Sequence, residues 1–312
     1  MISYRPIIQK IQSDLFDAQN LSVEVLRLDL VHAEVSGNKW FKLKLNLERA
    51  NSQGIKTVIT FGGAFSNHIA ATAAACRIAG LNAVGVIRGE DRGDLNSTLI
   101  KAKQDGMQLH FVDRQSYSQK ESEAFKKFLT DTFGPHLLIP EGGNNSEGVL
   151  GCTEIIDPHW HYDHVLCACG TGTTYAGIAG TAGSSTRVTG VSVLKGKNTM
   201  PEQTGLLIKA VFKREIKING NEELELPFIE NNSIVNNYSF NGYAKFEASL
   251  VQFKNSFESQ YHIPLDHIYT TKLFYALFDL AGKRKFSANS RLLVIHSGGL
   301  QGNQGFESRY LR

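Results

Sequence analysis

Short, nearly continuous apolar runs recur along this chain, each followed by a stretch with helical spacing. The first, Thr57-Val58-Ile59-Thr60-Phe61, is apolar on mostly consecutive positions. That pattern predicts a strand buried on both faces, as in a parallel sheet. It closes on Gly62-Gly63, and an alanine-rich helix is predicted over 67–79. Further strands are predicted over 81–87, 107–112 and 137–140, with helices over 94–104 (stopped by Gly106) and 117–133 between them. After Glu141-Gly142-Gly143 the pattern restarts. It runs through a strand over 165–169, a Gly/Thr turn, a helix of small residues, a strand over 188–194, an amphipathic helix over 243–261 and a late strand over 291–295. This alternation predicts an α/β protein with open, parallel-type sheets and helices on both faces. Two such units leave a cleft, and ligands bind such sheets beyond the carboxyl ends of the strands.

One segment fits two periods. Phe41, Leu43, Leu45 and Leu47 alternate with Lys42, Lys44, Asn46 and Glu48, as in a strand. Trp40, Leu43, Leu47 and Ala50 equally share one helical face.

A chain of 312 residues is long enough for two domains. Its net charge of +3 gives no argument for nucleic acid or an anionic membrane. No apolar run reaches the ~18 residues of a membrane span. The N-terminus lacks an apolar stretch of signal-peptide length, which points to the cytoplasm. Cys76, Cys152, Cys167 and Cys169 sit in apolar surroundings and read as reduced, buried thiols.

The candidate chemistry lies in the loops. Lys39 follows Gly37-Asn38, a turn that holds a lysine close to a ligand; desolvation there would free its amine for Schiff-base chemistry, although an isolated lysine is usually solvated. Gly62-Gly63-Ala64-Phe65-Ser66-Asn67-His68 joins a strand to a helix N-terminus, which suits a carboxylate, or Ser66 or Asn67 simply caps the helix. Gly170-Thr171-Gly172-Thr173-Thr174 offers backbone N–H groups and hydroxyls to one phosphate. A dinucleotide fingerprint would need glycine where the chain has Tyr175, and an acidic residue about 20 positions on. The run His159-Trp160-His161-Tyr162-Asp163-His164 lacks the spacing of a helical metal pair, and no metal is expected.

Taken together and in order, these motifs carry a resemblance. They are Gly37-Asn38-Lys39 with Lys42-Leu43, Gly62-Gly63 with Ser66-Asn67-His68, Ile139-Pro140-Glu141-Gly142-Gly143, Gly170–Thr174 with Ala176-Gly177, Tyr269-Thr270, and His296-Ser297-Gly298-Gly299. Over roughly residues 20 to 300 the chain resembles the D-cysteine desulfhydrase / 1-aminocyclopropane-1-carboxylate deaminase family of pyridoxal-phosphate enzymes. The resemblance implies the tryptophan synthase β-subunit-like fold (pyridoxal-phosphate fold type II), with a small domain over 46–155 inserted into a large cofactor-binding domain of 1–45 and 156–312. It implies a helix after Lys39, and a homodimer.

It also implies residue roles. Lys39 would bind pyridoxal 5'-phosphate covalently. Lys42 and Gly170, Thr171, Gly172, Thr173 and Thr174 would hold its phosphate, and Asn67 its 3-oxygen. Ser66 would meet the substrate carboxylate or move a proton. Tyr243 and Tyr269 would face a small amino-acid substrate. Thr270 and Ser297 would lie by the pyridine nitrogen, where neutral hydroxyls give a weaker electron sink than a carboxylate. The chain departs from better-known members after Phe240 and after Gly299, near the substrate side.

The leading expectation is a lyase that eliminates sulfide from D-cysteine or a related D-amino acid, giving pyruvate and ammonia. Its rivals are ring opening of the cyclopropane amino acid to 2-oxobutyrate and ammonia, and a non-catalytic protein that binds the cofactor. Retention of Lys39, Ser66, Tyr243 and Tyr269 together argues against the last.

Overall fold

The computed structural model describes residues 4–91, 93–193, 200–212, 217–219, 223–225, 233–240, 242 and 247–310. The chain begins β1 (Ile8–Ile11), α1 (Asp14–Asp17), β2 (Ser22–Arg27), α2 (Asn38–Ser52), β3 (Thr57–Gly63) and α3 (Asn67–Ala79). It continues β4 (Asn82–Arg88), α4 (Ser97–Gln104), β5 (Met107–Val112), α5 (Arg114–Ser118), α6 (Glu123–Phe133), β6 (Leu137–Ile139) and α7 (Ser146–Cys152). Then come β7 (His164–Cys169), α8 (Thr173–Thr181), β8 (Arg187–Ser192), α9 (Met200–Phe212), β9 (Lys217–Asn219), β10 (Glu223–Glu225) and β11 (Ser233–Val235). The last elements are α10 (Ala248–Tyr261), α11 (Thr270–Gly282), β12 (Arg291–His296) and α12 (Gly302–Tyr310).

Two sheets organise these elements. One has the order β1-β2-β12-β7-β8-β11 and is parallel except for the antiparallel β1 edge. The other, β5-β4-β3-β6, is wholly parallel and lies between residues 57 and 139 in sequence. β9 and β10 form a short antiparallel pair. α2 runs unbroken through residues 45 and 46, where the sequence reading sets its first domain boundary.

Side-chain alternation assigns both faces of each sheet to a core. In β12, Leu292 and Val294 enter the layer built with α11, while Leu293 and Ile295 enter the layer built with α8. In β7, Leu166 and Ala168 take the first side, and Val165, Cys167 and Cys169 the second. β3 divides in the same way, Val58 toward α3 and Ile59 and Phe61 toward α6. Strands covered on both faces explain why their sequences read as continuous apolar runs. All four cysteines are free and buried.

The ambiguous segment is helical. Asn38, Phe41, Lys42, Leu43, Asn46, Leu47 and Ala50 are its buried positions, a spacing of three and four, while Lys44 reaches outward to Glu154 at 2.6 Å. The helix expected over 117–133 is instead two. Asp113 caps α5, and Ser122 accepts from Phe125 N–H at 3.2 Å to start α6 afresh. A serine that bonds the backbone ahead of it competes with the helix running through it. α4 likewise starts late, at Ser97, because Asn96 accepts from Leu99 N–H. α10 begins at Ala248 rather than 243, and residues 243–246 lie outside the described residues.

Candidate active site

The loops singled out in the sequence follow the carboxyl ends of parallel strands: 62–66 after β3, 140–143 after β6, 170–172 after β7 and 297–299 after β12. Lys39, the second residue of α2, lies among them. Its ammonium donates to Asn38 Oδ1 at 2.9 Å and stands 6.0 Å from the centroid of the Tyr269 ring. Asn38 donates through Nδ2 to Thr174 Oγ1 at 2.8 Å, which couples the lysine turn to the Gly/Thr loop. Burial, and then the neighbouring Lys42 ammonium, lower the Lys39 pKa from 10.5 to about 7, against opposing pulls from Cys152 and Asp266. At neutral pH a large share of Lys39 is therefore the free amine, the nucleophilic form.

Lys42 lies one turn further along α2 and is buried. It donates to the Gly142 carbonyl at 3.1 Å, and burial lowers its pKa as well. Gly142 itself packs on the Gly/Thr loop: a Cβ there would fall 2.8 Å from Thr171 Cγ2. Thr173 Oγ1 donates to Asn144 Oδ1 at 2.8 Å and lies 3.0 Å from Thr171 Oγ1. α8 starts here, with Gly172 as N-cap at φ +83° and no side chain capping it. Its first N–H groups are thus left for an anion, with the Lys42 charge close by.

On the facing loop Ser66 is the N-cap of α3, accepting from His68 N–H at 3.2 Å and Ile69 N–H at 3.3 Å. Asn67 is buried; its Nδ2 donates to Gly299 O at 3.3 Å, and its Oδ1 has no hydrogen-bond partner among the described residues. The Thr60 hydroxyl donates to Ile139 O at 2.9 Å, so it accepts from His68 Nε2–H at 2.9 Å. That assigns the His68 tautomer and leaves Nδ1 a buried acceptor without a partner among the described residues. Burial, then Lys39 and Lys42, push the His68 pKa well below the ordinary range, which keeps the ring neutral.

Tyr269 precedes α11, and its ring edge packs on Gly170, where a Cβ would lie 3.1 Å from Tyr269 Cε1. Asp266 sets the backbone here. Its carboxylate accepts from the N–H groups of Ile268 (2.9 Å), Tyr269 (2.7 Å) and Thr270 (2.8 Å), and from Thr270 Oγ1 at 2.7 Å. Thr270 is fully buried and its hydroxyl is taken up by Asp266. Ser297 is buried in the loop after β12. The preceding His296 anchors that loop, with Nε2 2.7 Å from Pro264 O and Nδ1 3.1 Å from Asp29 Oδ1. Tyr243 lies outside the described residues.

The structure thus brings the segments that carry Lys39, Lys42, Asn67, Tyr269, Ser297 and the Gly/Thr loop into contact with one another. The His159–His164 run ends on the first residue of β7 and so lies at the opposite, amino end of that strand. There His164 packs edge-on against Phe286 at 5.0 Å. Among the described residues no group of three or more potential ligands is placed to hold a metal ion.

Sequence reasoning missed Asp266, the Asn38 side chain, His68 and Lys272. Asp266 had a signal: an acidic residue just ahead of an apolar helical run is a capping candidate. Lys272 had a weaker one, since its spacing from Leu273, Ala276 and Leu277 places it on the inward side of α11.

A model of the family described as pyridoxal-phosphate dependent enzymes matches residues 11–298, and the chain belongs to that family. A Pyrococcus abyssi protein provisionally named 1-aminocyclopropane-1-carboxylate deaminase is 30% identical over 90% of this chain and 86% of its own length. The mitochondrial bifunctional D-cysteine desulfhydrase/1-aminocyclopropane-1-carboxylate deaminase of Arabidopsis thaliana is 28% identical over 89% of this chain and 72% of its own. A solved structure described as an ACC deaminase homologue superposes with a TM-score of 0.83 at 26% identity, covering 99% of this chain and 94% of that one. The fold is therefore pyridoxal-phosphate fold type II, as the resemblance implied, and the protein is a pyridoxal-phosphate-dependent lyase of the deaminase and desulfhydrase group.

The residues present fit that cofactor. The amine of Lys39 is partly deprotonated at neutral pH, no side chain caps the helix N-terminus at Gly172, and Asn67 Oδ1 and His68 Nδ1 are buried polar atoms without a partner among the described residues.

Proposed function

We propose that this protein is a lyase acting on D-cysteine or a related D-amino acid with a leaving group on the β-carbon, giving pyruvate, ammonia and sulfide from D-cysteine and water. The observation that carries this reading is the neutral character of the groups assigned to the pyridine nitrogen. Ser297 offers only a hydroxyl, and Thr270 is engaged by Asp266. Such a site withdraws electrons less strongly than one with a carboxylate at that nitrogen, since a charge-assisted contact is roughly twice as strong as a neutral one. Elimination of a thiolate tolerates this better than opening of a carbon ring, because the thiolate leaves with the charge.

In this reading the cofactor, when bound, supplies the electron sink for the substrate's α-carbon. Lys39 anchors it and its free amine moves the α-proton. Lys42 and the 170–174 loop hold the phosphate. Asn67 donates through Nδ2 to the cofactor's 3-oxygen, and Ser66 with its loop meets the substrate carboxylate. Tyr269, and Tyr243 by resemblance, orient the substrate. The resemblance further supports a homodimer, with 46–155 as its inserted small domain. No described helix is long and apolar enough to cross a membrane.

The second reading is deamination of 1-aminocyclopropane-1-carboxylate, favoured by the names of the Pyrococcus abyssi protein and of the superposed structure. The test is product analysis with cofactor-loaded protein. D-cysteine should yield sulfide and pyruvate in equal amounts; formation of 2-oxobutyrate from the cyclopropane substrate, with no sulfide from D-cysteine, would overturn the first reading in favour of the second.

A further inference from the structure

Lys272 is a fully buried lysine outside the machinery described above. It lies in the first turn of α11, three positions after Tyr269. Its ammonium donates to three backbone carbonyls: Ser239 and Gly242, each at 2.7 Å, and Val193 at 3.3 Å. Among the described residues no carboxylate bonds it directly. Asp266 is the acidic group whose charge acts on it, and that carboxylate is itself occupied by the N-terminus of α11. Burial lowers Lys272 to about 8, so it remains an ammonium at neutral pH.

The chemistry of the three acceptors explains why a cation sits there. An ammonium has three N–H donors and no acceptor, one for each carbonyl. A buried charge is costly, so an apolar residue of similar length would be the easier choice for packing alone. That residue would take one donor away from each of the three carbonyls.

The segment that supplies two of those carbonyls is bound to α11 along its length. Tyr238 donates to Asp279 Oδ2 at 2.6 Å, and the Phe240 ring packs edge-on against Tyr275 at 5.1 Å. Gly242 N–H closes a turn onto Ser239 O at 2.9 Å. Within that turn Phe240 holds φ +47°, a left-handed conformation that a bulky side chain disfavours. A strained turn persists only where its surroundings over-determine it, and Lys272 is the group that bonds both of its ends. Tyr243 follows Gly242 directly in the chain.

We propose that Lys272 is a positioning residue of this site: its ammonium clamps the 239–242 turn and the end of β8 to the start of α11, and so fixes the substrate side of the cleft relative to Tyr269. This rests on the reading of Tyr243 and Tyr269 as substrate-facing.

The test uses cofactor-loaded protein with Lys272→Met and Lys272→Arg. Amide hydrogen exchange is measured over 236–247, together with cofactor affinity and the KM and kcat for D-cysteine. Lys272→Met should speed exchange over 236–247 at least tenfold while α8 and β12 change less than twofold. KM should rise at least tenfold with cofactor affinity within twofold of the parent. Lys272→Arg, which keeps the charge and its donors, should recover part of both effects. Exchange within twofold of the parent over 236–247, or an equal rise in α8 and β12, would overturn the proposal. Should the Met variant fail to fold, Lys272→Gln carries the same thresholds, because its amide supplies two donors for three acceptors. The exchange arm does not depend on which amino acid is turned over, so inactivity toward D-cysteine would count against the substrate reading alone.

Discussion

The backbone N–H of Asn38 donates to the carbonyl oxygen of Ser297 at 3.1 Å, which ties the residue before Lys39 to the loop after β12. Two segments far apart in sequence thereby set one distance in the site. Gly37 makes the approach possible: it holds φ +71°, and a Cβ there would run into the Ser297 carbonyl. Gly37→Ala therefore faces both a left-handed backbone and a collision with main chain. We predict a loss of about 1–3 kcal/mol from the backbone strain alone, with cofactor affinity falling at least as much. Thermal denaturation of the cofactor-free and cofactor-loaded forms checks this; an unchanged midpoint in both would contradict the contact.

Lys39 should be the one lysine attached to the cofactor. Borohydride reduction of the loaded protein followed by peptide mapping should place the label on Lys39, and Lys39→Ala should carry none. Turnover in Lys39→Ala should fall by about 10²-fold or more, the usual contribution of a positioned proton-transfer group. A label on Lys42 or Lys272 would reassign the site.

The lowered pKa of Lys39 sets a pH dependence. Below about 7 the folded protein holds this residue as the ammonium, and above it as the reactive amine. Cofactor attachment to the unloaded protein should therefore speed up as pH rises through about 7 and then level off. The same shift has a stability consequence. Between about 7 and the ordinary lysine value of 10.5 the unfolded chain binds the extra proton, so the contribution of Lys39 to stability rises with pH across that window. Stopped-flow absorbance across pH 5.5–9 reads the attachment rate; a rate that falls through this range would contradict the assignment.

Replacement of Gly172 by valine should weaken the cofactor before it unfolds the protein. Gly172 caps α8 at φ +83°, and a Cβ there would collide with the Thr204 hydroxyl, so the loop must shift. Affinity for free pyridoxal phosphate should drop roughly tenfold or more, since 1.4 kcal/mol of strain is a factor of ten. Equal affinity in parent and variant would show that the loop does not hold the phosphate.

Much of this arrangement was legible in the chain because its strands are covered on both faces. The run 57–61 and the run 165–169 read as buried strands for the reason they are buried strands: each residue packs on one side or the other. The loops were legible because glycine pairs mark places where the backbone closes on a neighbour. Helix limits were read less well. The break between α5 and α6 depends on whether Ser122 bonds to its own backbone, a local choice that periodicity does not register. Asp266 escaped attention because its role is to accept main-chain N–H groups, and Lys272 because its partners are carbonyls. Position left a mark, as with Asp266 just ahead of an apolar helical run, but main-chain partners carry no residue type of their own. The engagement of the Thr270 hydroxyl by Asp266 follows the same rule: the sequence offers a free hydroxyl, and the fold supplies its partner.

The choice of substrate is read from kcat/KM for D-cysteine and for 1-aminocyclopropane-1-carboxylate, measured side by side on one preparation of cofactor-loaded protein. Neutral groups at the positions of Thr270 and Ser297 predict the higher value for D-cysteine, by at least about tenfold if the missing charge-assisted contact is worth roughly 1.4 kcal/mol in the ring-opening transition state. A higher kcat/KM for the cyclopropane substrate would contradict it.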